Sequence, residues 1–392
     1  MARTDPPAVN TPRAGPAGPE AFARACLRLR RAPEQLEAVR AAAGSLAGEW
    51  ETLRALADAE GLAPLLHHTA GNRGLLPEDI AVHVRREYRL SALRNRILLH
   101  ELGACLRAFA AARLRVIVLK GAALVEAVYR DVALRPMVDL DLLVHPRDRA
   151  SAQRLLESQG YAASRPEVRP GALAEQESEI DFCKTAAIPL HVDLHWSLFD
   201  SPHYQRRIDP NWFWDTAGPA RIAGEPALIL GLEAQVLHLS GHLALHHAGR
   251  GLRWWEDLAA MLAADADRLD WDELLTRARR YDLQLALRSV LMELAEHWDA
   301  PVPAAVVAAL RAVQPSPEET WVAARMAAPH RSAGQRFWAD LVSISDWNAR
   351  RRFALANLFP SAAYMRARYA IRHPLLLPLY YPYRWLRGLF GA

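Results

Sequence analysis

The sequence predicts a small α/β unit that lies between two mainly helical regions. Residues 113–200 alternate short β-branched runs with helix-like stretches, and a run such as "LRVIVL" (114–119) has the composition of a strand. Residues 20–112 instead repeat apolar side chains at helical spacing, and so does the chain after residue 225. This difference in composition and in apolar spacing predicts a mixed fold whose strands are confined to the middle of the chain.

Composition limits the kinds of function that the chain can have. The 392 residues are 51% hydrophobic, so the chain can bury a sizeable core, and the net charge of +4 is too small to predict sequence-specific binding of nucleic acid. The three cysteines show neither metal-ligand spacing nor a disulfide pattern, which is typical of the reducing cytoplasm. The sequence has no apolar run of the roughly 18 residues that a membrane-spanning helix needs.

The chain before the α/β unit divides into two parts. Residues 1–19 are rich in Pro, Ala and Gly and lack an apolar signal region, so we expect a disordered tail. Residues 20–112 are expected to be helical, because "EQLEAVRAAAGSLAGEWETLRALADAEG" and "REYRLSALRNRILLHELGACLRAFAAARL" have helical spacing and composition. Gly61 and Gly71 punctuate the chain between these two helical stretches.

The α/β unit is assigned to residues 113–224. Its first strand runs directly into a helix-like stretch, "KGAALVEAVYR", and a second strand, "DLDLLV", precedes a helix that Gly160 ends. Two later strands, "EIDFCK" and "PLHVDLHWSL", flank "TAAI" and are expected to form a hairpin.

Two further segments follow the α/β unit. Residues 225–350 have helical spacing and are assigned to a C-terminal helical domain, in which Asp257 is expected to pair with Arg253 one turn earlier, with an active-site role as the alternative. Residues 351–392 end in "RHPLLLPLYYPYRWLRGLFGA", which is apolar and aromatic with interspersed arginines. We expect this segment to pack on the helical domain or to contact a membrane peripherally.

Two aspartates interrupt the otherwise apolar stretch "LRPMVDLDLLVHP" (134–146). Side chains alternate along a strand, so Asp139 and Asp141 are expected on one face. Two carboxylates at this spacing repel each other, and partial burial strengthens the repulsion, so basic side chains or a divalent metal ion must compensate. Asp193, in the apolar strand "LHVDLHW", supplies a third carboxylate. Such a cluster is typical of a Mg²⁺ site, because this ion prefers oxygen ligands.

Positively charged residues near these acids are candidates for binding phosphate. The 48 basic residues include just two lysines, Lys120 and Lys184, and both lie within the α/β unit. Lys120 and Gly121 stand where a strand runs into a helix, a position at which free N–H groups and a compact cation favour phosphate. Arg135 either holds phosphate or neutralises Asp139. All four are assigned to phosphate binding, with an exposed hairpin position as the alternative for Lys184.

Histidines form a weaker set of candidates. His238, His242 and His246 recur at i, i+4 and i+8 on one helix face, but the sequence contains no H-E-x-x-H zinc motif. We therefore expect a buried or inter-domain histidine face here, and a zinc hydrolase is disfavoured. His191 and His195 flank the third aspartate on its strand and are expected to be structural.

These motifs together resemble a known superfamily. A Gly at a helix start, an h-D-h-D-h strand and a later h-D-h strand are similar to the polymerase-β-like nucleotidyltransferases. The longer string "LKGAAL…YR…LRPMVDLDLLV…LESQGY…VDLHWSL" resembles the branch called the uncharacterised bacterial nucleotidyltransferase family, with weaker similarity over residues 60–380. The resemblance implies an α/β core of the polymerase-β-like type, a small mixed sheet with flanking helices, embedded between mainly helical regions.

The resemblance also implies a reaction and roles for the acids. Asp139 and Asp141 would ligate two Mg²⁺ ions, with Mn²⁺ as an alternative, and Asp193 would ligate the catalytic ion and help to deprotonate the acceptor. The acceptor would attack the α-phosphorus of a nucleoside triphosphate such as ATP in line, and pyrophosphate would leave. A small molecule, a sugar phosphate or a peptide would fit as the acceptor.

One departure from the superfamily pattern leaves a second function open. The usual Gly-Ser is Gly121-Ala122 in this chain, so a hydroxyl that would contact phosphate is missing. Lys120 is expected to supply that contact instead. The alternative is a non-catalytic nucleotide-binding or regulatory protein that keeps the nucleotidyltransferase fold.

Overall fold

A mixed β-sheet with helices on both faces forms the centre of the molecule. A computed structural model describes residues 18–46, 48–164, 168–169, 177–186, 188–199, 201–327, 333–344 and 346–390. The strands in these residues are β1 (Val116–Val118), β2 (Leu140–Val144), β3 (Ala162–Ala163), β4 (Glu179–Lys184), β5 (Leu190–His195), β6 (Gly218–Ile222) and β7 (Glu225–Ile229). They join into one sheet with the spatial order β3-β4-β5-β2-β1-β7-β6.

The sheet contains both parallel and antiparallel strand pairs. The central strands β2 and β5 are parallel neighbours, and β1 pairs antiparallel with β2 and parallel with β7. The outer pairs β3–β4, β4–β5 and β6–β7 are antiparallel. The hairpin predicted around "TAAI" is confirmed by the β4–β5 pairing. The mixed sheet agrees with the predicted fold class, although it does not by itself establish the polymerase-β-like topology.

Helices lie before, within and after the stranded region. The N-terminal helices are α1 (Pro19–Arg28), α2 (Leu36–Ser45), α3 (Trp50–Glu60), α4 (Ala63–Thr69) and α5 (Glu78–Ala111). Between strands lie α6 (Lys120–Leu124) and α7 (Arg149–Ser158). The helices between β5 and β6 and after β7 are α8 (Pro202–Arg207), α9 (Pro210–Thr216), α10 (Leu232–Gly241), α11 (Leu252–Asp265), α12 (Trp271–Arg280), α13 (Gln284–His297), α14 (Ala304–Arg311), α15 (Pro317–Ala327), α16 (Ala333–Ser343), α17 (Trp347–Leu358), α18 (Ala362–Tyr369) and α19 (Leu377–Phe390).

The break predicted at Gly61 is present in the structure. Gly61 ends α3 with a φ of 65°, in the left-handed region that glycine adopts without a steric penalty. Of the predicted disordered tail, residues 1–17 lie outside the described residues, and α1 begins at Pro19.

The two faces of the sheet differ because side chains alternate along its strands. Even-numbered residues of β2, β4 and β5, such as Leu142, Phe182 and Val192, are buried in a core shared with α5 and α7. Odd-numbered residues of the same strands point to the opposite face, which we call the acidic face because it carries Asp141 and Asp193. The helices after β7 pack over the acidic face, so its polar side chains lie between the sheet and a layer of helices.

The hairpin β6–β7 was not predicted from the sequence. Helices were expected from residue 225, yet Glu225–Ile229 forms β7, which joins the sheet beside β1. Ala223 and Gly224, with φ of 53° and 78°, make the tight turn between the two strands. Both central residues of a type I′ hairpin turn have positive φ, and the Ala at the first of them obscured the turn signal in the sequence. The assigned boundary at residue 224 therefore falls inside a hairpin.

The N-terminal and C-terminal helical regions share one hydrophobic core. Phe22 and Leu27 of α1 belong to the same buried cluster as Leu258 of α11 and Leu291 of α13. Ion pairs reinforce the contact, since Arg30 and Arg31 lie 3.0 and 2.6 Å from the two carboxylate oxygens of the fully buried Glu256. The two regions are separate along the chain but form one helical layer in space.

Candidate active site

A cavity of about 260 Å³ lies between the acidic face and the helices that close over it. The sheet wall comes from β2, β4 and β5, and the opposite wall from the turn after α10 and the start of α11. The ionisable side chains that line the cavity are Lys120, Arg135, Asp139, Asp141, Glu179, Asp193, His195, His242, His246, His247 and Arg253. Carboxylates therefore occupy the sheet wall, whereas histidines and an arginine occupy the wall that faces them.

Asp141 and Asp193 sit directly opposite each other on the parallel strands β2 and β5. One carboxylate oxygen of each, together with a ring nitrogen of His195, falls within a 4.8 Å cluster of the kind that can hold a metal ion. Asp181 of β4 is paired with Asp193 on the other side, so three aspartates form one row across the sheet. The row follows from the period-2 pattern of each strand, as the sequence predicted for Asp141 and Asp193.

Asp139 reaches the same cavity from just before β2. The strand begins at Leu140, so Asp139 belongs to the preceding turn, yet it is half-buried and lines the cavity beside Asp141. Burial, and next the negative charge of Asp141, raise the pKa of the Asp139 carboxyl. The structure thus brings all three predicted acids to one place.

Asp141 is the most strongly paired of these acids. Its Oδ1 accepts hydrogen bonds from Lys120 Nζ at 2.8 Å and from His195 Nε2 at 2.9 Å, and only 5% of the residue is exposed. Burial alone would raise the pKa of Asp141, but the two cationic donors outweigh burial and hold the pKa well below its usual range. The compensation predicted for the acid pair is therefore partly supplied by the chain itself.

Asp193 has the opposite electrostatic environment. Burial, followed by the neighbouring carboxylates of Asp141 and Glu179, raises the pKa of Asp193 to about 7. A carboxyl with this pKa is half protonated near neutrality, because burial and the two neighbouring carboxylates disfavour its ionised form. The sheet wall is therefore short of positive charge at Asp193 and can accept a cation there.

His195 and Glu179 complete the sheet wall. His195 lies between two carboxylates, with Nε2 beside Asp141 Oδ1 and Nδ1 2.9 Å from Glu179 Oε2. Burial and Lys120 lower the pKa of His195, but the hydrogen bonds to both carboxylates prevail and raise it to about 9. An imidazolium with both nitrogens donating cannot ligate a metal. Sequence reasoning missed Glu179, and its only signal was the register of the β4–β5 hairpin, which places it opposite His195.

Arg135 lines the cavity, but its principal partner differs from the one that the sequence predicted. Its Nε lies 2.9 Å from both oxygens of Asp257, whose Oδ1 also accepts a 2.7 Å hydrogen bond from Tyr129. Asp257 was expected to pair with Arg253 on its own helix, and Arg135 with Asp139 or phosphate. The fold instead buries Arg135 and Asp257 together, so a fully desolvated pair replaces the helical one. The guanidinium also stacks on Trp254, at 5.0 Å from the ring centroid.

The wall that faces the acids is built on a widened helical turn. His242–His246 follows α10 as a π-helical segment, and a second such segment, Val125–Tyr129, follows α6. Single π turns within helices occur frequently at functional sites. Burial lowers the pKa of His247 to about 4, and burial lowers that of His242 well below its usual range, so both rings are neutral at physiological pH.

The histidine face agrees in part with the sequence-based expectation, because His238 is buried, His242 is half-buried and His246 is exposed at the cavity. His238 is buried behind the cavity, and burial lowers its pKa to about 3. In the described part of the chain, the side-chain groups able to hold a metal do not include His238, His242 or His246. His242 and His247 are neutral side chains of the wall opposite the acids, and His246 lines the same wall.

Gly121 lines the cavity, and packing accounts for the absence of a side chain there. A Cβ at this position would lie 3.1 Å from Cγ and 3.3 Å from Sδ of Met137. Ala122, which replaces the usual Ser of the superfamily, is buried beside it at 2% exposure. The helix α6 has five residues, so it presents less aligned backbone to a phosphate than the sequence suggested.

A comparison with known families decides the classification. The model of a family described as an uncharacterised nucleotidyltransferase matches residues 47–299, which include every residue of the sheet and of the cavity walls described above. The chain belongs to this nucleotidyltransferase family. No curated protein matches the chain. Family membership places the protein among the transferases and implies a nucleotide substrate.

The donor set of the nucleotidyltransferase cavity fits a divalent metal ion. Asp139, Asp141 and Asp193 offer carboxylate oxygens, the ligands that Mg²⁺ prefers, and the raised pKa of Asp193 marks a place where positive charge is missing. Lys120 and His195 both bond to Oδ1 of Asp141, and no described residue donates a hydrogen bond to Oδ2. A metal can therefore be held without the loss of these two contacts.

One predicted binding residue lies away from the nucleotidyltransferase cavity. Lys184 lies on the even-numbered side of β4, opposite the acidic face, where its Nζ is 2.7 Å from Glu101 Oε1 and 5.3 Å from the centre of the Tyr161 ring. It does not line the cavity and has no place in the nucleotide site that we propose.

The sequence predicted no membrane-spanning helix in this family member. Across the described residues, none of the helices is both long enough and apolar enough to pass through a bilayer.

Proposed function

We propose that this protein is a Mg²⁺-dependent nucleotidyltransferase that moves a nucleoside monophosphate from a nucleoside triphosphate to a hydroxyl or phosphate acceptor. The observation that carries the proposal is the placement of Asp141 opposite Asp193, with Asp139 beside them, in one cavity of a family member. Two-metal sites for in-line phosphoryl chemistry are built from such carboxylate clusters.

The metal ions would be held by Asp139, Asp141 and Asp193 and would supply charge neutralisation at the phosphates, with Mn²⁺ as a substitute for Mg²⁺. Lys120, bonded to Asp141, would hold that carboxylate in place and contribute positive charge beside the triphosphate. Arg135, held by its own carboxylate partner, would present the remainder of its guanidinium to phosphate oxygens.

Asp193 would also move a proton. Lying among the acids of the cavity, its carboxylate would accept the hydrogen of an acceptor hydroxyl. The acceptor oxygen then bonds to the α-phosphorus, the bond from that phosphorus to the bridging oxygen breaks, and pyrophosphate leaves with the electron pair. The neutral rings of His242 and His247 on the facing wall would exclude water without adding charge.

The rest of the assignment concerns substrates and location. ATP is the first nucleotide to test, and a small molecule, a sugar phosphate or a peptide is proposed as the acceptor. A cytoplasmic location is supported by the free state of Cys26, Cys105 and Cys183, of which the first two are buried.

A second candidate is a protein that binds nucleotide without turnover. Two observations favour it: Ala122 lacks the hydroxyl of the superfamily motif, and the Lys120–Asp141 pair already neutralises one expected metal ligand. Such a protein would keep the cavity and use nucleotide binding for regulation.

The two functions are separated by a transfer assay and a binding assay on the same protein. Nucleoside triphosphates labelled at the α-phosphorus are incubated with Mg²⁺ and a cell extract as the source of acceptor. The enzyme transfers label to an acceptor, and Asp193→Asn abolishes the transfer, whereas Asp181→Asn, in the same row but outside the cavity, retains it. Calorimetric nucleotide binding without transfer supports the second candidate. Absence of both overturns both.

A further inference from the structure

The C-terminal end of the chain has an unusual charge distribution. From residue 347 to the last residue the sequence contains eight arginines and neither aspartate nor glutamate. Arg366, Arg368 and Arg372 are exposed in the structure. The matched family region ends at residue 299, so this basic segment is an addition to the part that carries the candidate active site.

The last helix, α19, has one face packed and one face unpacked. Tyr381 donates a 2.8 Å hydrogen bond to the carbonyl of Pro360, and Trp385 donates one of 2.7 Å to the carbonyl of Leu358, which fixes the inner face against the end of α17. The outer face carries Leu379 and Leu386, which are 66% and 56% exposed.

The exposed apolar side chains continue beyond these two leucines. Tyr383 lies between them at helical spacing and is 49% exposed, and Leu375, just before the helix, is 79% exposed. Phe359 just after α17 belongs instead to the packed side of α19, where its ring centre is 5.4 Å from that of Trp385. We call the surface formed by Leu375, Leu379, Tyr383 and Leu386 the C-terminal apolar patch. Exposed apolar side chains grouped on one helix face mark an interaction site more often than scattered apolar residues do.

We propose that the C-terminal apolar patch and the arginines around it bind the surface of an anionic lipid bilayer. An amphipathic helix with Leu and aromatic residues on one face and basic residues nearby lies in the plane of such an interface, with its apolar side chains in the acyl region and its arginines at the headgroups. Tyr383 is suited to the boundary because it has an apolar ring and a polar tip.

Charge decides between this occupant and a second copy of the chain. An isologous dimer would bring the same arginine-rich surface against itself, and no acid in residues 347–392 is present to neutralise it. Anionic lipid supplies the opposite charge and an apolar phase at one surface. The proposal is independent of the catalytic assignment, because none of the patch residues lines the cavity.

The test is co-sedimentation of the full-length protein with vesicles of phosphatidylcholine alone and of phosphatidylcholine mixed with phosphatidylglycerol. We expect binding to the mixed vesicles that weakens as salt is raised, and weak binding to phosphatidylcholine alone. The variant Leu375→Ser/Leu379→Ser/Leu386→Ser should lose about tenfold or more in affinity, since apolar burial and charge both contribute to binding.

Two controls keep the outcome interpretable. Leu90→Ser/Leu93→Ser replaces leucines of α5 that are 45% and 56% exposed, and it should bind vesicles as the wild type does. Thermal melts of both variants should match the wild type, because the replaced side chains are exposed. Equal binding to both kinds of vesicle, absence of binding, or retained binding by the triple variant overturns the proposal. Self-association that the triple variant abolishes, seen by sedimentation velocity, would assign the patch to a second copy instead.

Discussion

Lys120 places its ammonium nitrogen 2.8 Å from Asp141 Oδ1, just past the end of β1 and beside the neighbouring strand β2. The backbone reinforces this contact, since the Leu119 N–H donates a 3.0 Å hydrogen bond to the Asp141 carbonyl. One of the two lysines in the chain is thus joined to the most deeply buried acid of the cavity. The pairing ties the candidate phosphate site to the candidate metal site.

We expect Lys120→Arg to weaken nucleotide affinity although it keeps the charge. The wider guanidinium requires a different approach to Asp141 and fills space that a triphosphate would use. Lys120→Ala should cost as much or more, about 1.5–3 kcal/mol, for the loss of a charge-assisted hydrogen bond. Calorimetry with ATP and Mg²⁺ measures the effect. Lys184→Arg is the matched control and should leave affinity unchanged, because Lys184 pairs with Glu101 away from the cavity. Wild-type affinity in Lys120→Arg would contradict the phosphate role.

Removal of charge from the two opposed acids should change stability in opposite directions. In metal-free buffer, Asp141→Asn should lower the free energy of unfolding by about 2–4 kcal/mol, because Lys120 and His195 lose a buried partner. Asp193→Asn should raise it by about 1–2 kcal/mol at about pH 8, since like-charge repulsion is relieved and solvent screens part of the effect. Urea unfolding with a chelator present measures both variants.

The same experiment carries its own control. Asp181→Asn should change the unfolding free energy by less than about 0.5 kcal/mol, since Asp181 is half-exposed and its partner, His191, is 3.4 Å away. A decrease of similar size in all three variants would indicate that the row of acids is held by structural ion pairs and would remove the electrostatic case for a metal.

The stability gained in Asp193→Asn should depend on pH. The folded pKa of about 7 lies above the unfolded value, so between these values the folded protein binds more protons than the unfolded chain. Wild-type stability contributed at this site therefore rises as pH falls from about 8 to about 5. The advantage of Asp193→Asn should shrink over that window. Both proteins keep His195, whose raised pKa adds stability at low pH that is lost through about 9, so its contribution cancels to first order. A gap that is constant with pH would mean that the pKa of Asp193 is not raised.

The buried pair of Arg135 and Asp257 should not tolerate a conservative change. We expect Arg135→Lys to destabilise the fold by about 2–4 kcal/mol, because an ammonium lacks the planar group that stacks on Trp254 and that donates to Asp257 and to the Pro136 carbonyl from different nitrogens. Arg107→Lys is the control: its pair with Glu225 is close, at 2.6 Å, but the arginine side chain is 57% exposed, and exposed pairs contribute little. Equal unfolding free energies for the two variants would contradict the structural role of the buried pair.

Local periodicity determined much of the sheet and of the acid cluster. The alternation in "DLDLLV" and "LHVDLHW" places Asp141 and Asp193 on one face of whichever sheet the strands join, because successive side chains of a strand point to opposite sides. The predicted helix α5 and the hairpin β4–β5 followed from patterns of the same short range. Function at the family level also followed from the sequence, because the motifs themselves are local.

Long-range contacts decided what the acids and cations do. Lys120 and Lys184 were both predicted to bind phosphate. Lys184 is an even-numbered residue of β4, however, so its side chain points away from the acidic face and pairs with Glu101. Asp257 had an adequate partner one turn away, and the fold instead buried it against Arg135, which is 122 residues distant.

What the sequence alone determined about this protein is therefore the composition of its site: three carboxylates, a lysine and a glycine within one α/β unit. What only the tertiary structure decided is the charge state of that site. The pKa of each acid depends on which partners lie within a few ångströms across strands, and on how far water is excluded. Asp141 and Asp193 have the same side chain and similar strand contexts. They differ because Lys120 and His195 both bond to Asp141, while Asp193 faces Asp141 and Glu179.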